Sequence, residues 1–558
     1  MRRYGVLGVI RLAAAVAALV WAAGGPSYAG DCFWQHDPNT AGDWADPNNW
    51  TPSAPGSFDT ALIDNGGTAG ILGGNVTVWS VIAGDSFRGS VLQSGGSSAV
   101  AYLDLGHSAG GTGTYGLSGG TLQLDIGTMV GGNGRGSFAQ SGGTHGVRSL
   151  LALGDSPGAV GTYELSGGSL GSQNDEIVGW SGRGVFVQSG GTSAVRYDLF
   201  LGFEAGGTGT YDLSGGSLGS YNETVGVTGT GSFAQSGGTN AVRCELFLGH
   251  RPGGTGIYDL SGGSLGARSE AVGSFGTGTF TQSAGINALR GTLYVGCDGV
   301  GIYRLTGGSL TAAGAIMLAS PSGGTAVVNV SRGAYVEAGG LTVHGGTAHA
   351  TTVGLELDAN MHSVIHTTGT STLGGTMDVQ AVGGFRPREG DAFSVIASSD
   401  PNGVHFVNNF TTFTSNITYG LPAGSDAFGG APDGADYKVV FLGYTHGDAN
   451  GNHKVDGGDL ALMGGAWMKT GQTWATGNFN GDPNGIVDGG DLALMAGNWM
   501  WALPSPSPPG APLPEPTVTI LLGAGLALIA ARRRNRHGVL GRIRRPEALT
   551  AGGFGDTL

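Results

Sequence analysis

A repeated stretch of about two dozen residues limits the folds open to this chain. GTYELSGGSLGS at 161–172 returns as GTYDLSGGSLGS at 209–220 and as GIYDLSGGSLGA at 256–267. Aromatic residues mark the units and alternate between Tyr and Phe at spacings of 22 to 25 residues, and valines bracket the series: Val91, Tyr115, Phe138, Tyr163, Phe186, Tyr211, Phe233, Tyr258, Phe280, Tyr303 and Val328. Periods of this length are typical of stacked repeats.

Each unit has the pattern of short strands separated by tight corners. Tyr211-x-Leu213 and Phe233-x-Gln235 alternate with period two, and Ser-Gly-Gly follows each. A second short strand comes next, and a third ends in Val-Gly or Leu-Gly. The 114 glycines, which lack a G-X-Y period, favour a β structure rich in corners. The sequence predicts an all-β fold with a right-handed parallel β-helix of about ten rungs over residues 90–350, with the aromatic residues stacked inside.

Charged residues follow the same double-rung period, and we expect them to face solvent. The predicted outward ladders are Glu164, Asp212 and Asp259; Glu176, Glu223 and Glu270; and Arg148, Arg196, Arg243 and Arg290. A catalytic cluster would break the repeat at one rung, and these charges do not. His107, His145 and His250 are expected at loop-like positions and lack metal-ligand spacing. The pattern therefore predicts no enzyme activity in the repeats.

The N-terminus predicts export. Residues 1–29 combine a basic start, the apolar run LAAAVAALVWAA and Ser27-Tyr28-Ala29, the pattern of a cleaved signal peptide. Without residues 1–29 and 517–558, 16 basic and 38 acidic residues remain, a net charge of −22. Such a chain would repel nucleic acid and attract cations. The spacing of the three cysteines indicates no disulfide framework, and the alternatives are free thiols or a single disulfide bridge: Cys32, Cys244 and Cys297.

Two segments flank the repeats. Residues 30–89 are predicted to form an N-terminal cap module. Its segment WADPNNWTPSAPGSFDTA resembles the opening of secreted bacterial proteins with autotransporter-associated β-strand repeats, through Trp44, Asn49, Trp50, Pro55, Asp59 and Ala61. The resemblance covers about 40–350 and implies a cell-surface solenoid without a reaction. Residues 351–440 are predicted to form a small β-rich module that caps the solenoid.

Two acidic loops predict calcium sites within residues 445–501. Oxygen ligands at EF-hand-like spacing, each set followed by an apolar helical run, wrap a hard cation. The first set is Asp448, Asn450, Asn452, Lys454 (through its carbonyl), Asp456 and Asp459; the second is Asn478, Asn480, Asp482, Asp488 and Asp491. The pair resembles a type I dockerin, which implies two calcium ions and a cohesin-like receptor. Gly457-Gly458 and Gly489-Gly490 stand where dockerins usually carry hydroxyl residues.

The C-terminus predicts sorting at a membrane. A proline-rich linker at 502–516 ends in Pro514, Glu515 and Pro516, and an apolar run precedes Arg532, Arg533 and Arg534. Residues 517–536 resemble a PEP-CTERM sorting segment, which implies an exosortase-type processing enzyme and transient contact with the inner membrane. A retained anchor is the alternative. A basic tail follows at 537–558.

Two functions fit this organisation. The first is a structural or adhesive solenoid of the cell surface or extracellular matrix, with a surface polysaccharide as a candidate partner. The second is a subunit that binds or degrades glycans and docks into an extracellular polysaccharide-degrading assembly. A rung with acids and bases absent from its neighbours would favour the second.

Overall fold

Strand stacking dominates the computed structural model. It describes residues 30–345, 349–358, 361–383, 392–400, 404–406, 411–413, 428–433, 436–441, 449, 455–472, 476–478, 486–497 and 499. The chain divides into two units, residues 1–445 and 446–558. The first is a parallel β-solenoid of about 14 turns. The described residues of the second form two short helices.

One sheet of the solenoid carries the aromatic ladder, and we call it the aromatic sheet. Its 16 strands pair in parallel, each with the next rung. They are Ala41–Asp43, Thr68–Ile71, Arg88–Gln93, Thr112–Leu117, Arg135–Gln140, Val160–Leu165, Arg183–Gln188, Thr208–Leu213, Thr230–Gln235, Thr255–Leu260, Thr277–Gln282, Val300–Leu305, Gly324–Val330, His349–Leu357, Thr376–Ala381 and Thr411–Phe413.

The second sheet contributes two short strands to each central rung, which confirms three strands per rung. Its 28 strands are Asp31–Trp34, Trp50–Thr51, Thr60–Ile63, Asn75–Ala83, Ser97–Leu105, Thr121–Val130, Thr144–Val147, Leu150–Leu153, Ser169–Ser172, Glu176–Val178, Thr192–Val195, Asp198–Leu201, Ser217–Ser220, Asn222–Val225, Thr239–Val242, Glu245–Leu248, Ser264–Ala267, Ser269–Val272, Ile286–Leu289, Leu293–Val295, Ser309–Leu318, Tyr335–Val343, Ile365–Thr367, Ser371–Leu373, Ala392–Ser398, Val404–Phe406, Phe428–Asp433 and Asp436–Phe441.

The predicted count of about ten rungs is wrong. The structure has about 14 turns, because parallel pairing continues into the two flanking segments. Ala41–Asp43 pairs with Thr68–Ile71 on the N-terminal side, and Gly324–Val330 pairs with His349–Leu357 on the C-terminal side. These segments lack the regular aromatic spacing, yet their strands pair in register with the neighbouring rungs. The final hairpin, Phe428–Asp433 with Asp436–Phe441, is antiparallel.

The aromatic ladder forms the centre of the core, as predicted. From Tyr115 to Tyr303, successive rings stack with centroids 4.5–5.0 Å apart and planes within 7°. The rung spacing of parallel strands imposes this distance, because identical positions repeat at each rung. Val91 and Val328 continue the ladder at its ends, since they pair in register with Tyr115 and Tyr303.

The glycine corners hold neighbouring rungs close together. Gly216 has a φ of +79°, and a Cβ there would lie 2.4 Å from the carbonyl oxygen of Gly191. Only glycine tolerates both the left-handed backbone and that approach. At the N-terminal end, Trp34, Trp44 and Trp50 pack edge to face with centroids 4.8–4.9 Å apart and are at most 6% exposed.

The second unit contains the helices Gly457–Ala466 and Gly489–Gly497, and a 3₁₀ helix at Pro47–Asn49 belongs to the first. Among the described residues, no helix has both the length and the apolarity to cross a membrane. The signal peptide, the linker and the sorting segment with Pro514, Glu515, Pro516, Arg532, Arg533 and Arg534 lie outside the described residues.

Candidate metal centre and buried polar column

The structure describes part of each predicted calcium loop. Asp456, Asp459, Asn478, Asp488 and Asp491 are described, whereas Asp448, Asn450, Asn452, Lys454, Asn480 and Asp482 lie outside the described residues. Within the described part of the chain, no group of three His, Cys, Asp or Glu side chains is arranged to hold a metal ion. The two calcium ions therefore stay a prediction.

The described acids share one local geometry, because VDGGDLALM occurs twice, at 455–463 and 487–495. Asp456 accepts a hydrogen bond from Gly458 N at 2.8 Å, and Asp459 accepts one from Asp456 N at 2.9 Å. Asp488 and Asp491 repeat this arrangement at 2.7 and 2.9 Å. Each pair forms a cap that satisfies free N–H groups at the helix start.

Asp459 and Asp491 are fully buried in the second unit. A buried carboxylate is stable only with hydrogen bonds or a cation. Asp459 also accepts from Ala449 N at 2.9 Å, so both of its oxygens face the loop that precedes the helix. A backbone hydrogen bond joins the regions of the two VDGGDLALM segments, since Met468 N donates to Val487 O at 2.8 Å. This placement fits carboxylates at the last position of a calcium loop.

The solenoid contradicts one predicted outward ladder. Arg148, Arg196, Arg243 and Arg290 are exposed, and Glu164 and Asp259 are exposed beside half-buried Asp212, as expected. Glu176, Glu223 and Glu270, however, are at most 1% exposed. Their ladder alternates with leucine along the second sheet: Leu151, Glu176, Leu199, Glu223, Leu246, Glu270 and Leu293. A position that holds leucine in every other rung faces the core.

A second inward ladder supplies partners for these acids. Its polar members, one in every second rung, are Ser98, His145, Ser193, Asn240 and Asn287, and all are at most 1% exposed. The expectation that His145 lies in a loop is therefore wrong, because it sits in the strand Thr144–Val147 and faces the core. Together the two ladders form a buried polar column beside the stacked rings.

Glutamines of the aromatic sheet explain how the buried tyrosine hydroxyls are satisfied. Tyr211 donates to Gln188 Oε1 at 2.5 Å and Tyr258 donates to Gln235 Oε1 at 2.6 Å. In each case the glutamine belongs to the preceding rung and lies two residues after its phenylalanine. The glutamine amide then donates to a backbone carbonyl one rung further on, such as Ser264 O at 3.0 Å. The tyrosines therefore need the Phe rungs as partners.

One unit of the column, around Glu223, has the fullest set of partners. Ser220 Oγ donates to Glu223 Oε1 at 3.0 Å, and Asn240 Nδ2 donates to Glu223 Oε2 at 2.9 Å. The same Asn240 amide lies 3.2 Å from the Tyr258 hydroxyl in the next rung. A serine, a glutamate, an asparagine and a tyrosine thus connect three successive rungs.

The neighbouring units each lack one partner. Ser172 Oγ donates to Glu176 Oε1 at 2.5 Å, but Ser193 replaces the asparagine and Glu176 Oε2 has no partner in the described structure. Asn287 Nδ2 donates to Glu270 Oε2 at 3.1 Å. Ala267 replaces the serine there, and Glu270 Oε1 is without a partner among the described residues.

Burial controls the protonation of the column. Loss of solvent raises the pKa of Glu176 and Glu223 to about 7, against the lowering effect of the serine and asparagine hydrogen bonds. It raises the pKa of Glu270 to about 8, where only Asn287 opposes it. Burial also lowers the pKa of His145 to about 3, so its imidazole is neutral. Among the described residues, no Lys or Arg pairs with these acids. The column is suited to packing neutral acids, and its burial keeps substrates away.

No protein-family model, curated protein or solved structure matches this chain. The function is therefore inferred from the geometry of the described residues and from the sequence motifs.

Proposed function

We propose that this chain is an exported structural or adhesive protein of the cell surface or extracellular matrix, built on a right-handed β-solenoid. The dockerin-like module at 445–501 would bind two calcium ions through the two loops. The PEP-CTERM-like segment would direct the protein through an exosortase-type enzyme, with transient or retained contact at the inner membrane.

The main support for this proposal is that the outward-facing charges recur every two rungs, with the same period as the core residues. The exposed arginines from Arg148 to Arg290 follow this period, and so do the acids from Glu164 to Asp259. Like charges are then separated by two rungs, roughly 9–10 Å, which is near the screening length at moderate salt. A repeated solvated face favours a scaffold role over a reaction centred on one rung.

The second candidate is a subunit that binds or degrades glycans and docks through the calcium module. The repeated helix segment favours it, because Leu460, Leu462 and Leu492 are 41–42% exposed on two copies of one sequence. Exposed apolar side chains on short helices suit a protein receptor such as a cohesin-like module. Under this alternative the solenoid would present a glycan to the assembly.

Deletion of the gene in its native host tests the proposal. We expect the protein to be accessible to protease on intact cells, and its loss to reduce cell aggregation or matrix retention. Purified full-length protein should release no sugar from extracellular polysaccharides. Reducing-end release would contradict the first function and favour the second.

Calcium dependence tests the module separately. We expect Asp459→Asn with Asp491→Asn to lower the calcium stoichiometry of the full chain in titration calorimetry, while Asp212→Asn on the solenoid surface leaves it unchanged. A calcium-dependent protein partner, captured by the full chain in calcium but not in chelator, would support docking. An unchanged stoichiometry would overturn both loop assignments.

A further inference from the structure

The corners that return the chain to the aromatic sheet alternate in length. We call them return corners, and they lie between a second-sheet strand and the next aromatic-sheet strand. Corners of four and six residues alternate over eight rungs: 84–87, 106–111, 131–134, 154–159, 179–182, 202–207, 226–229 and 249–254. The alternation follows the Phe and Tyr rungs, so each short corner is normally followed by a long corner in the next rung.

The alternation fails after this series. After the four residues 273–276, the next corner, 296–299, also has four, and a longer corner returns only at 319–323. Two short corners therefore lie between the long corners at 249–254 and 319–323. A cavity of about 480 Å³ occupies this place. Its size falls within the range of small-molecule sites.

An exposed aromatic ring lines this cavity. Phe275 lines the cavity and is 55% exposed, although exposed Phe side chains carry a hydration cost. Pro252 lines the cavity from the long corner before it. Apart from Asp298, the rest of the lining consists of glycines, threonines and one valine: Gly253, Gly254, Gly276, Gly299, Gly324, Thr255, Thr277, Thr325 and Val300. The cavity thus combines an apolar ring face with hydroxyl and backbone groups.

An ionised acceptor lies in the same cavity. Asp298 Oδ1 accepts hydrogen bonds from Ser322 Oγ at 2.6 Å and Ser320 Oγ at 3.0 Å, which lower the pKa of its carboxyl. Asp298 Oδ2 has no hydrogen-bond or ion-pair partner among the described residues. No Lys or Arg lines the cavity. A carboxylate without a cation repels anionic ligands and accepts hydrogen bonds from hydroxyl groups.

We propose that this cavity binds a neutral sugar ring, with the C–H face of the pyranose on Phe275 and its hydroxyl groups donating to Asp298. A pyranose presents an apolar face and a polar edge, and the cavity offers the complement of both. This inference rests on the adhesive role proposed above, for which it names a ligand class. The site breaks the repeat at one place, which the regular charged ladders do not.

Ligand-observed NMR on the full-length protein tests the site. The probes are the methyl β-glycosides of glucose and galactose and the methyl α-glycoside of mannose. We expect saturation transfer to at least one probe, strongest at the ring protons of its apolar face. Phe275→Ala should weaken that affinity at least tenfold, and Asp298→Asn should weaken it several-fold. Phe87→Ala is the matched control, because Phe87 is 71% exposed at another short corner and lies outside the cavity.

A corner graft gives a second, independent variant. Replacing residues 296–299 with the six residues GHSAGG of 106–111 restores the alternation and fills the cavity with a corner that the fold already accepts. We expect sugar binding to be lost and the melting temperature to be kept. Failure of all three glycosides to bind the native protein would overturn the site, and so would a graft and a Phe275→Ala variant that both bind the sugar as tightly as the native protein.

The outcomes separate this site from the wider role. If Asp298→Asn removes one calcium ion per chain, the cavity holds a cation and the sugar assignment is wrong. If Phe275→Ala cells keep the surface protein and their aggregation, the site is not the adhesive one, but the scaffold role stands. If the protein is not found at the surface of wild-type cells, the scaffold role is refuted, and the binding measurement is unaffected.

Discussion

The units around Glu223 and Glu270 occupy equivalent places in neighbouring pairs of rungs, yet they differ in one partner. Glu223 accepts hydrogen bonds on both oxygens, from Ser220 and Asn240. Glu270 accepts one from Asn287 and has a free oxygen beside Ala267, within the described structure. The pKa is raised to about 7 in the first case and to about 8 in the second. The two units therefore differ in one hydroxyl donor, that of Ser220, at otherwise equivalent places.

Because the fold repeats, the cost of burying an ionisable acid recurs in successive pairs of rungs. Each buried acid is compatible with the core only as the neutral form or with enough donors. The solenoid supplies a serine donor from the same rung and an asparagine donor from the following rung, so the requirement is met partly between rungs. A change at one ladder position then alters the electrostatics of a neighbouring rung.

The largest expected effect is a loss of stability as the pH rises. Below about pH 4.5 the three carboxyls are neutral in both states, so they add no pH dependence. Between that value and the raised pKa values, the unfolded chain releases protons that the folded chain keeps. Stability should fall by on the order of 1 kcal/mol per pH unit for each carboxyl, and level off above about pH 8. Thermal melts across this range measure it.

A triple variant isolates the column from other titrating groups. A variant that combines Glu176→Gln, Glu223→Gln and Glu270→Gln should lose the fall in stability that the three carboxyls cause between pH 5 and pH 8. His145 contributes the opposite slope, because its lowered pKa destabilises the fold as pH falls below 6.5, and it cancels in the comparison. Equal slopes in the native and triple-variant proteins would show that the acids are ionised in the fold.

Removing one tyrosine hydroxyl should have the next largest effect. Tyr258→Phe leaves Gln235 Oε1 without its donor and Asn240 without one acceptor, both buried. We expect a loss of about 1–3 kcal/mol in the free energy of unfolding, the cost of unsatisfied buried polar groups. Phe233→Leu in the adjoining rung is a packing control that leaves these bonds intact. Chemical denaturation compares the two, and an unchanged stability for Tyr258→Phe would contradict the inter-rung bond.

The repeat could be predicted from the sequence because rung spacing forces equivalent residues into ladders. The stacked rings, the glycine corners and the three strands per rung all follow from spacings along the chain. The number of turns could not be predicted, since strands such as Thr68–Ile71 and Thr376–Ala381 lack an aromatic marker. Their stacking depends on pairing with a neighbour, which local pattern does not encode.

The buried acids were missed although a signal was present. Glu176 and Glu223 stand three residues before a corner glycine, the same place as Leu199 before Gly202. The charge of the glutamates suggested that they face solvent, whereas the leucine at the equivalent position indicated that this position faces the core. The cavity had a signal as well, because Phe280 and Tyr303 are 23 residues apart where earlier Phe-to-Tyr spacings are 25. The calcium loops depend on residues outside the described part, so spacing remains their main support.

Completing the unit around Glu176 should stabilise the solenoid. Ser193→Asn places an asparagine where Asn240 and Asn287 already fit between leucine rungs. Its amide would donate to Glu176 Oε2 and approach Tyr211, so we expect a gain of about 1–2 kcal/mol. Ala194→Asn, at an exposed neighbour, should change stability little. A destabilised Ser193→Asn would mean that the site around Glu176 lacks the room found near Glu223.

The smallest expected effect is the restoration of the missing hydroxyl beside Glu270. Ala267→Ser adds one donor at the place that Ser172 and Ser220 hold in the other units, and should stabilise the fold by about 0.5–1.5 kcal/mol. The new hydrogen bond favours the ionised carboxyl, so the pKa of Glu270 should move down toward that of Glu223. The protonated-carboxyl band in the infrared spectrum should then vanish at a lower pH. Ala241→Ser, on an exposed strand position, is the control, and an unchanged band would show that the two units differ by more than this hydroxyl.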